Sequence, residues 1–261
     1  KAVDLEIRRD EKAVDGYFRL NLSPSLKAGL PAALPELVDY PYGCVEQTMS
    51  RFVPAVLVRQ YMRENGISDP ALDAKIDEVT EQSLARIRML KGSDGWGWFE
   101  YGEPIPEMTA IVLEGLRVAE LAGVKVPDDL TQEALSASRR MLEKPVGSDR
   151  RYPVSLAFAL LRREMSENAV KVLQLASAQT NLSVADQAHI ALGLHLSGDP
   201  NVKRLSQKML SDLKRRASAG SETVSYGDPL DTAAALETLI AMEPDSDWIT
   251  KLLLSLNQVR R

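Results

Sequence analysis

Two hydrophobic periodicities divide the chain. Over residues 1–24, "VDLEI" and "GYFRLNL" alternate apolar and polar positions at period two, the pattern of half-buried strands. Two such strands are too few to bury a face alone. They read as part of an adjoining β domain that this chain contains only in part. From Leu26 onward the apolar positions recur at helical spacing. Helices are expected over 31–38, 44–64, 69–90, 106–123, 127–144, 153–164, 166–178, 183–198, 199–217, 228–242 and 245–261. Pro54 falls inside the second and predicts a kink. Asp69 before Pro70 predicts an N-cap followed by a proline at the first helical position, and Gly123 predicts a stop.

Two kinds of helix alternate. Those at 70–90, 128–143 and 200–218 are polar and amphipathic. Those at 108–122, 153–161, 185–196 and 231–242 are apolar nearly all round and rich in Ala, which predicts burial. The buried set repeats one stripe of small and large positions: Ala110, Leu113 and Leu116; Ala188, Ala191 and Leu194; Ala233, Leu236 and Leu239. Helical pairs that recur every ~30 to 45 residues describe a helical-hairpin array. Alternation of buried and exposed helices fits a ring with an inner and an outer layer. The fold expected is all-α, an α/α toroid of the six-hairpin type, over residues 25–261, with residues 1–24 as the β segment. Eleven helices leave it one short of the twelve a closed ring needs.

Composition narrows the function. The chain has 261 residues, a formal net charge of −5 and no long basic block, which argues against a nucleic-acid surface. The densest basic run, "KRRAS" at 214–218, reads as a solvated helix face. No apolar run reaches the ~18 residues of a membrane span. The opening "KAVDLEIRRDEK" is charged and lacks an initiator Met, so the chain reads as a piece of something longer, with any targeting signal elsewhere. One cysteine makes no internal disulfide, and one cysteine with two histidines, His189 and His195, makes no credible zinc site. No cofactor is called for.

That cysteine lies in "PYGCVEQT", residues 41–48, at the start of an expected helix. Cys44 and Gln47 are i and i+3, so they share a helix face with Cβ atoms roughly 5–6 Å apart. A Cys44 thiolate that displaces the Gln47 amide nitrogen as ammonia leaves an intrachain thioester. Such a bond is a stored electrophile: an amine or hydroxyl takes the acyl group and Cys44 leaves as a thiol. A helix N-terminus favours the thiolate. Gly43 is read as permitting a backbone path that a side chain would block.

"PYGCVEQTMSRFVP" resembles the thioester region of α2-macroglobulins and complement components, whose signature is G-C-x-E-Q. The flanking "YPYGC" and "TMSRFVP" look closest to bacterial α2-macroglobulin-like proteins. "SDGWGWF" with "MTAIVLEGL", and later "DTAAALETL", resemble further parts of the same domain, so the likeness covers roughly residues 26–261. A chance match to P-x-G-C-x-E-Q in a chain this long is on the order of one in ten thousand.

The resemblance implies an α/α toroid flanked by β domains of the same full-length chain. It implies Cys44 and Gln47 as the bonded pair, with Gly43, Glu46 and Tyr42 in support, and Glu46 holding the loop by a hydrogen bond. It implies a broad-spectrum protease inhibitor rather than a turnover enzyme. The bait lies elsewhere, and the partners are target proteases or other amine-bearing proteins, met through lysine amines. It implies a place in the periplasm, in the cell envelope or outside the cell. A surface-adhesion or complement-like tagging role uses the same residues and stays open. A toroid enzyme of the terpenoid cyclase or prenyltransferase type has only "PDD" at 127–129 to build on, which reads as a helix cap.

Shielding from water is the remaining need of such a bond. Tyr42 and Phe52 flank the pair in sequence. Trp96, Trp98, Phe99 and Tyr101 of "GWGWFEYG" read as a plug at the end of the ring rather than as its direct neighbours. No histidine lies between Cys44 and His189, so the resemblance implies direct attack by amines. His189 and His195, six apart on one Ala-rich helix, read as core or groove residues.

Overall fold

The computed structural model describes residues 43–144, 152–220 and 223–258. The strands expected before residue 24, the helix at 31–38 and the boundary between 24 and 25 lie outside the described residues. Within them, regular structure consists of ten helices and two minimal antiparallel hairpins.

Local signals set most of the helix starts. Helix α1 (Val45–Glu64) begins after Cys44 and runs on through Pro54. Helix α2 (Pro70–Met89) opens with Asp69, whose carboxylate accepts from Leu72 N–H at 3.1 Å. Hairpin β1 (Lys91–Gly92) and β2 (Gly95–Trp96) pairs Lys91 with Trp96 and Gly92 with Gly95. Helix α3 (Pro106–Leu121) starts on a proline and stops before Gly123, whose φ of +76 suits glycine. Then come α4 (Asp128–Glu143), α5 (Val154–Leu161) and α6 (Glu167–Ala176), the last capped by Ser166. Ser183 caps α7 (Val184–Leu196), which is followed by α8 (Lys203–Arg216). Hairpin β3 (Ser218–Ala219) and β4 (Val224–Ser225) leads to α9 (Pro229–Met242), capped by Asp228, and to α10 (Asp247–Gln258).

The odd-numbered helices form a series in which α1 packs on α3, α3 on α5, α5 on α7 and α7 on α9. Each even-numbered helix packs on the odd one before it. The two kinds of helix in the sequence map onto these two layers. In α5, "VSLAFALL", every residue but Ser155 is buried. Leu113, Leu116, Leu156 and Leu160 are wholly enclosed, each contributing about 1.5–3 kcal/mol of transfer free energy. Hydroxyls fasten neighbouring helices: Ser206 Oγ donates to Ala191 O at 2.7 Å, and Thr238 Oγ1 to Ala188 O at 3.2 Å.

One reading of the sequence is corrected here. Ala233 is exposed, whereas Thr232, Ala235, Leu236 and Leu239 of α9 are buried. The buried face follows the i, i+3, i+4, i+7 spacing of a helix, and a strict three-residue step drifts off it. The basic run at 214–218 lies on a solvated face, with Arg215, Arg216 and Ser218 exposed, and its cations are also partnered. Lys214 pairs with Glu243, Arg215 with Asp212, and Arg216 donates to Gln187 Oε1 at 2.8 Å and Leu182 O at 3.1 Å. Among the described residues no helix is long and apolar enough to cross a membrane.

Candidate functional site

Cys44 is the N-cap of α1, extended at φ −64 and ψ 176, and it is buried. A helix leaves its first N–H groups without intrahelical acceptors, so a short side chain that accepts from the third residue stabilises the start. Here the acceptor is sulfur: Gln47 N–H donates to Cys44 Sγ at 3.4 Å. The reciprocal bond is also present, with Cys44 N–H donating to Gln47 Oε1 at 3.2 Å. Each side chain of the pair thus bonds the other's backbone, in the geometry of a capping box. The sulfur accepts from a helix N–H at the positive end of the dipole. The carboxamide oxygen sits against an amide donor, which polarises its carbonyl.

The next residues hold this turn. Thr48 donates to Cys44 O twice, from N–H at 2.9 Å and from Oγ1 at 2.8 Å. Gly43 is required for space: a Cβ there would stand 2.8 Å from Thr48 Oγ1 and 3.2 Å from Thr48 N. Arg86 of α2 reaches the Gly43 carbonyl with both Nε and Nη2, each at 3.4 Å. Its remaining nitrogen, Nη1, lies 3.8 Å from Glu100 Oε2.

The aromatic loop is fastened through its main chain to Val45, the residue after Cys44. Val45 N–H, another donor of the first turn, bonds Trp98 O at 3.0 Å. Trp96 anchors the loop: it is fully buried, donates from Nε1 to Ile87 O at 2.8 Å and from N–H to Thr109 Oγ1 at 3.1 Å. Gly95 allows this at φ +130, where a Cβ would lie 2.7 Å from Thr109 Oγ1. At the turn before it, Arg140 of α4 and Lys144, the residue that caps that helix, donate to Asp94 at 2.5 and 2.9 Å. Hydrogen bonds from Lys144 and Arg140 hold the Asp94 carboxyl below its ordinary value. Trp98, Phe99 and Tyr101 remain exposed, and Tyr101 adopts a left-handed φ of 61.

Other site readings change. Tyr42 lies outside the described residues. Among the described residues, Glu46 accepts from Ser50 Oγ at 2.9 Å, on its own helix. It faces away along a separate groove of about 710 Å³ between α1, α3 and α5, which reaches His189 and Glu237. Arg162 lines that groove, 3.2 Å from Glu114 and 2.5 Å from Glu237. His189 stacks on Phe158 at 4.5 Å, and burial pushes its pKa below 6.5. His195, expected in the core or groove, is exposed. "PDD" is a helix start, with Asp129 paired to Arg88 at 2.5 Å. Among the described residues, no three His, Cys, Asp or Glu side chains are grouped to hold a metal ion.

Arg86, Glu100 and Thr48 were not singled out by the sequence. Arg86 lies 43 positions from the carbonyl it binds, on a polar helix that also carries Arg88, and nothing local marks it.

The chain is similar to known proteins in part of its sequence and in its fold. Residues 19–144 match the family model of the A-macroglobulin TED domain. Over 131 residues, 49% of the chain, it is 36% identical to an alpha-2-macroglobulin of Thermotoga maritima, and that span is 8% of the relative's length. The fold is similar to that of Salmonella alpha-2-macroglobulin reacted with methylamine, with a TM-score of 0.69 and 23% identity. That match covers 91% of this chain and 16% of the other. Trypsin-activated alpha-2-macroglobulin from Escherichia coli aligns with a TM-score of 0.64 at 22% identity, over 84% of this chain and 16% of the other.

Proposed function

This chain carries an A-macroglobulin TED, or thioester, domain homologous to bacterial alpha-2-macroglobulins, and on that premise we propose that Cys44 and Gln47 form an intrachain thioester that acylates attacking proteases. The observation that carries this reading is the reciprocal pairing of Cys44 and Gln47 across one helical turn. The Cys44 sulfur attacks Gln47 Cδ and ammonia leaves, its added proton coming from the thiol. Later an amine nitrogen attacks the same carbon, the Cδ–Sγ bond breaks, and its electron pair departs on sulfur. The amine proton goes to solvent or to the thiolate. The protein is consumed as acyl donor, so the role is a single-use trap and not turnover catalysis.

The layered helices support an α/α toroid as the scaffold, with α1, α3, α5, α7 and α9 inside and the thioester at the N-terminal end of an inner helix. A boundary near residue 24 with an adjoining β domain completes the proposed arrangement. Protease capture through lysine amines, in the periplasm or cell envelope or outside the cell, belongs to the same proposal. One similar protein was studied after trypsin activation, and another after reaction with methylamine. The chain spans a small fraction of those proteins, so bait and protease choice belong to the rest of the molecule.

Methylamine tests the bond in the full-length protein. The peptide pair containing Cys44 and Gln47 is expected to be ~17 Da lighter than its sequence, and methylamine to release one thiol per chain while becoming joined to Gln47. A Cys44 that titrates fully before methylamine, with none incorporated afterwards, sinks the proposal. Protease capture is read separately, as an adduct that survives denaturant and is lost when the protein is treated with methylamine first.

A further inference from the structure

Resting on the thioester reading above, the geometry points to Arg86 as a positioning residue for acyl transfer. It fixes the Gly43–Cys44 peptide so that the Cys44 N–H serves as oxyanion donor to the Gln47 carbonyl. The two contacts that matter lie at opposite ends of one peptide unit. Gly43 O accepts from Arg86 Nε and Nη2 at 3.4 Å each. Cys44 N–H, on the other side of the same amide, donates to Gln47 Oε1 at 3.2 Å. A trans peptide is planar, with C=O and N–H pointing in opposite directions. A carbonyl held in place therefore aims the N–H.

Without a side chain, Gly43 has no means of its own to hold that plane, and glycine is the residue with the widest backbone freedom. The guanidinium supplies the restraint from outside, as a rigid fork with a fixed charge. It is itself held at a third point, with Nη1 3.8 Å from Glu100 Oε2 on the loop that Val45 N–H fastens through Trp98 O. A cationic donor on the carbonyl also polarises the amide, which strengthens its N–H as a donor. Thr48 holds the following carbonyl, Cys44 O, by two hydrogen bonds. The peptides on both sides of the Cys44 Cα are therefore restrained.

The role follows from where charge develops. When an amine adds to Gln47 Cδ, the carbonyl electron pair moves onto Oε1. The Cδ–Sγ bond then breaks as that pair returns, and sulfur leaves as thiolate beside Gln47 N–H. Formation of the bond passes through the same centre, with Cys44 sulfur entering and ammonia leaving. A donor already aimed at Oε1 lowers both barriers, since a placed N–H stabilises an oxyanion without reorganising. The Arg86–Glu100 pair itself is a weak stabiliser, because both side chains are more than a third exposed. The side chain's main effect is thus expected on rate rather than on stability.

The test uses the full-length protein with wild type, Arg86→Ala and Arg86→Lys. Three quantities are measured: thiol released by methylamine per chain, the rate constant of methylamine uptake by the loaded fraction, and the thermal unfolding midpoint. Removing a donor from an oxyanion site costs 10²–10³ in rate, and here the donor is left misaligned rather than removed, so Arg86→Ala is expected to react about tenfold more slowly. Arg86→Lys, which keeps the charge and one donor, is expected within about threefold of wild type, and the midpoint is expected to hold in both. Loss of loading in Arg86→Ala with loading kept in Arg86→Lys supports the same conclusion, because formation uses the same donor. An unchanged loading and rate in Arg86→Ala overturns it, as does equal loss in both variants. Failure of the thioester reading itself shows earlier and differently, as a wild type that releases no thiol and takes up no methylamine.

Discussion

Val45 N–H donates to the carbonyl of Trp98 at 3.0 Å, so the aromatic loop is fastened to the first turn of the helix that begins at Cys44. Trp96 and Trp98 are two residues apart but differ in what they do there. Trp96 is fully enclosed and hydrogen-bonded through its indole, whereas Trp98 contributes a backbone carbonyl and leaves half its surface in solvent.

Trp96→Ala is therefore expected to destabilise the domain by about 3–5 kcal/mol and to release the loop from Val45. Trp98→Ala is expected to stay within about 0.5 kcal/mol of the parent, since the bonded atom is main chain. Urea unfolding separates them. Equal losses would show that the exposed indole has packing that the structure does not give it.

The contrast also marks what the sequence discloses. Helix starts at Asp69–Pro70, Ser166, Ser183 and Asp228–Pro229 were legible because a cap acts within three residues of itself. The Cys44–Gln47 pairing was legible for the same reason. The Gly43–Arg86 and Val45–Trp98 bonds join parts of the chain far apart in sequence, and no local pattern encodes them. Ala233 and His195 were misplaced because an all-round apolar or Ala-rich helix carries little phase information: its period does not say which side faces out. Glu46 has a partner within its own helix turn, Ser50 at i+4, a contact that helical spacing makes available.

Gly43→Ala tests whether space is what the motif's glycine provides. The new methyl meets Thr48 Oγ1 at 2.8 Å, and overpacking of this kind costs about 1–3 kcal/mol. Thr48→Ala removes the obstructing oxygen together with its bond to Cys44 O, costing about 1 kcal/mol alone. The double variant is expected to lose less than the sum of the two, because the clash is present in only one of the singles. Additive losses in denaturant unfolding would mean that the Thr48 hydroxyl is not what excludes a side chain at Gly43.

His189 gives the domain a pH dependence with a definite sign. Burial beneath the stacked Phe158 ring lowers its pKa below 6.5, and Arg162 also disfavours a second positive charge, while Glu237, Asp186 and Glu114 oppose the shift in part. The unfolded chain takes up a proton near pH 6.5 that the folded chain resists. The stability this residue supports is full above that value and falls as pH drops from 6.5 toward the lower folded pKa. His189→Phe keeps an aromatic ring against Phe158 and removes the titration. Between pH 7.5 and 5.5 the parent is expected to lose more unfolding free energy than the variant. The reverse order would place a protonated ring in the folded state. Measurements stay above pH 5, because Asp94, Asp129 and Glu164 owe their lowered pKa values to cationic partners and contribute only below that range.

Replacing Cys44 separates the cap from the chemistry. The side chain has two roles in one place: its sulfur accepts from Gln47 N–H to start α1, and under the proposed function it is the leaving group of the acyl donor. Serine is a strong N-cap with an oxygen in nearly the same position, and alanine has no acceptor. Cys44→Ala is therefore expected to unfold about 1 kcal/mol more easily than Cys44→Ser, read from paired urea transitions. Neither is expected to take up methylamine at Gln47, since a hydroxyl does not displace the amide nitrogen and a methyl cannot. Methylamine found on Gln47 in the serine variant would mean that the carboxamide reacts without a thioester. Equal stabilities for serine and alanine would mean that the N–H of Gln47 finds another acceptor, leaving the cysteine at this position with a chemical role alone.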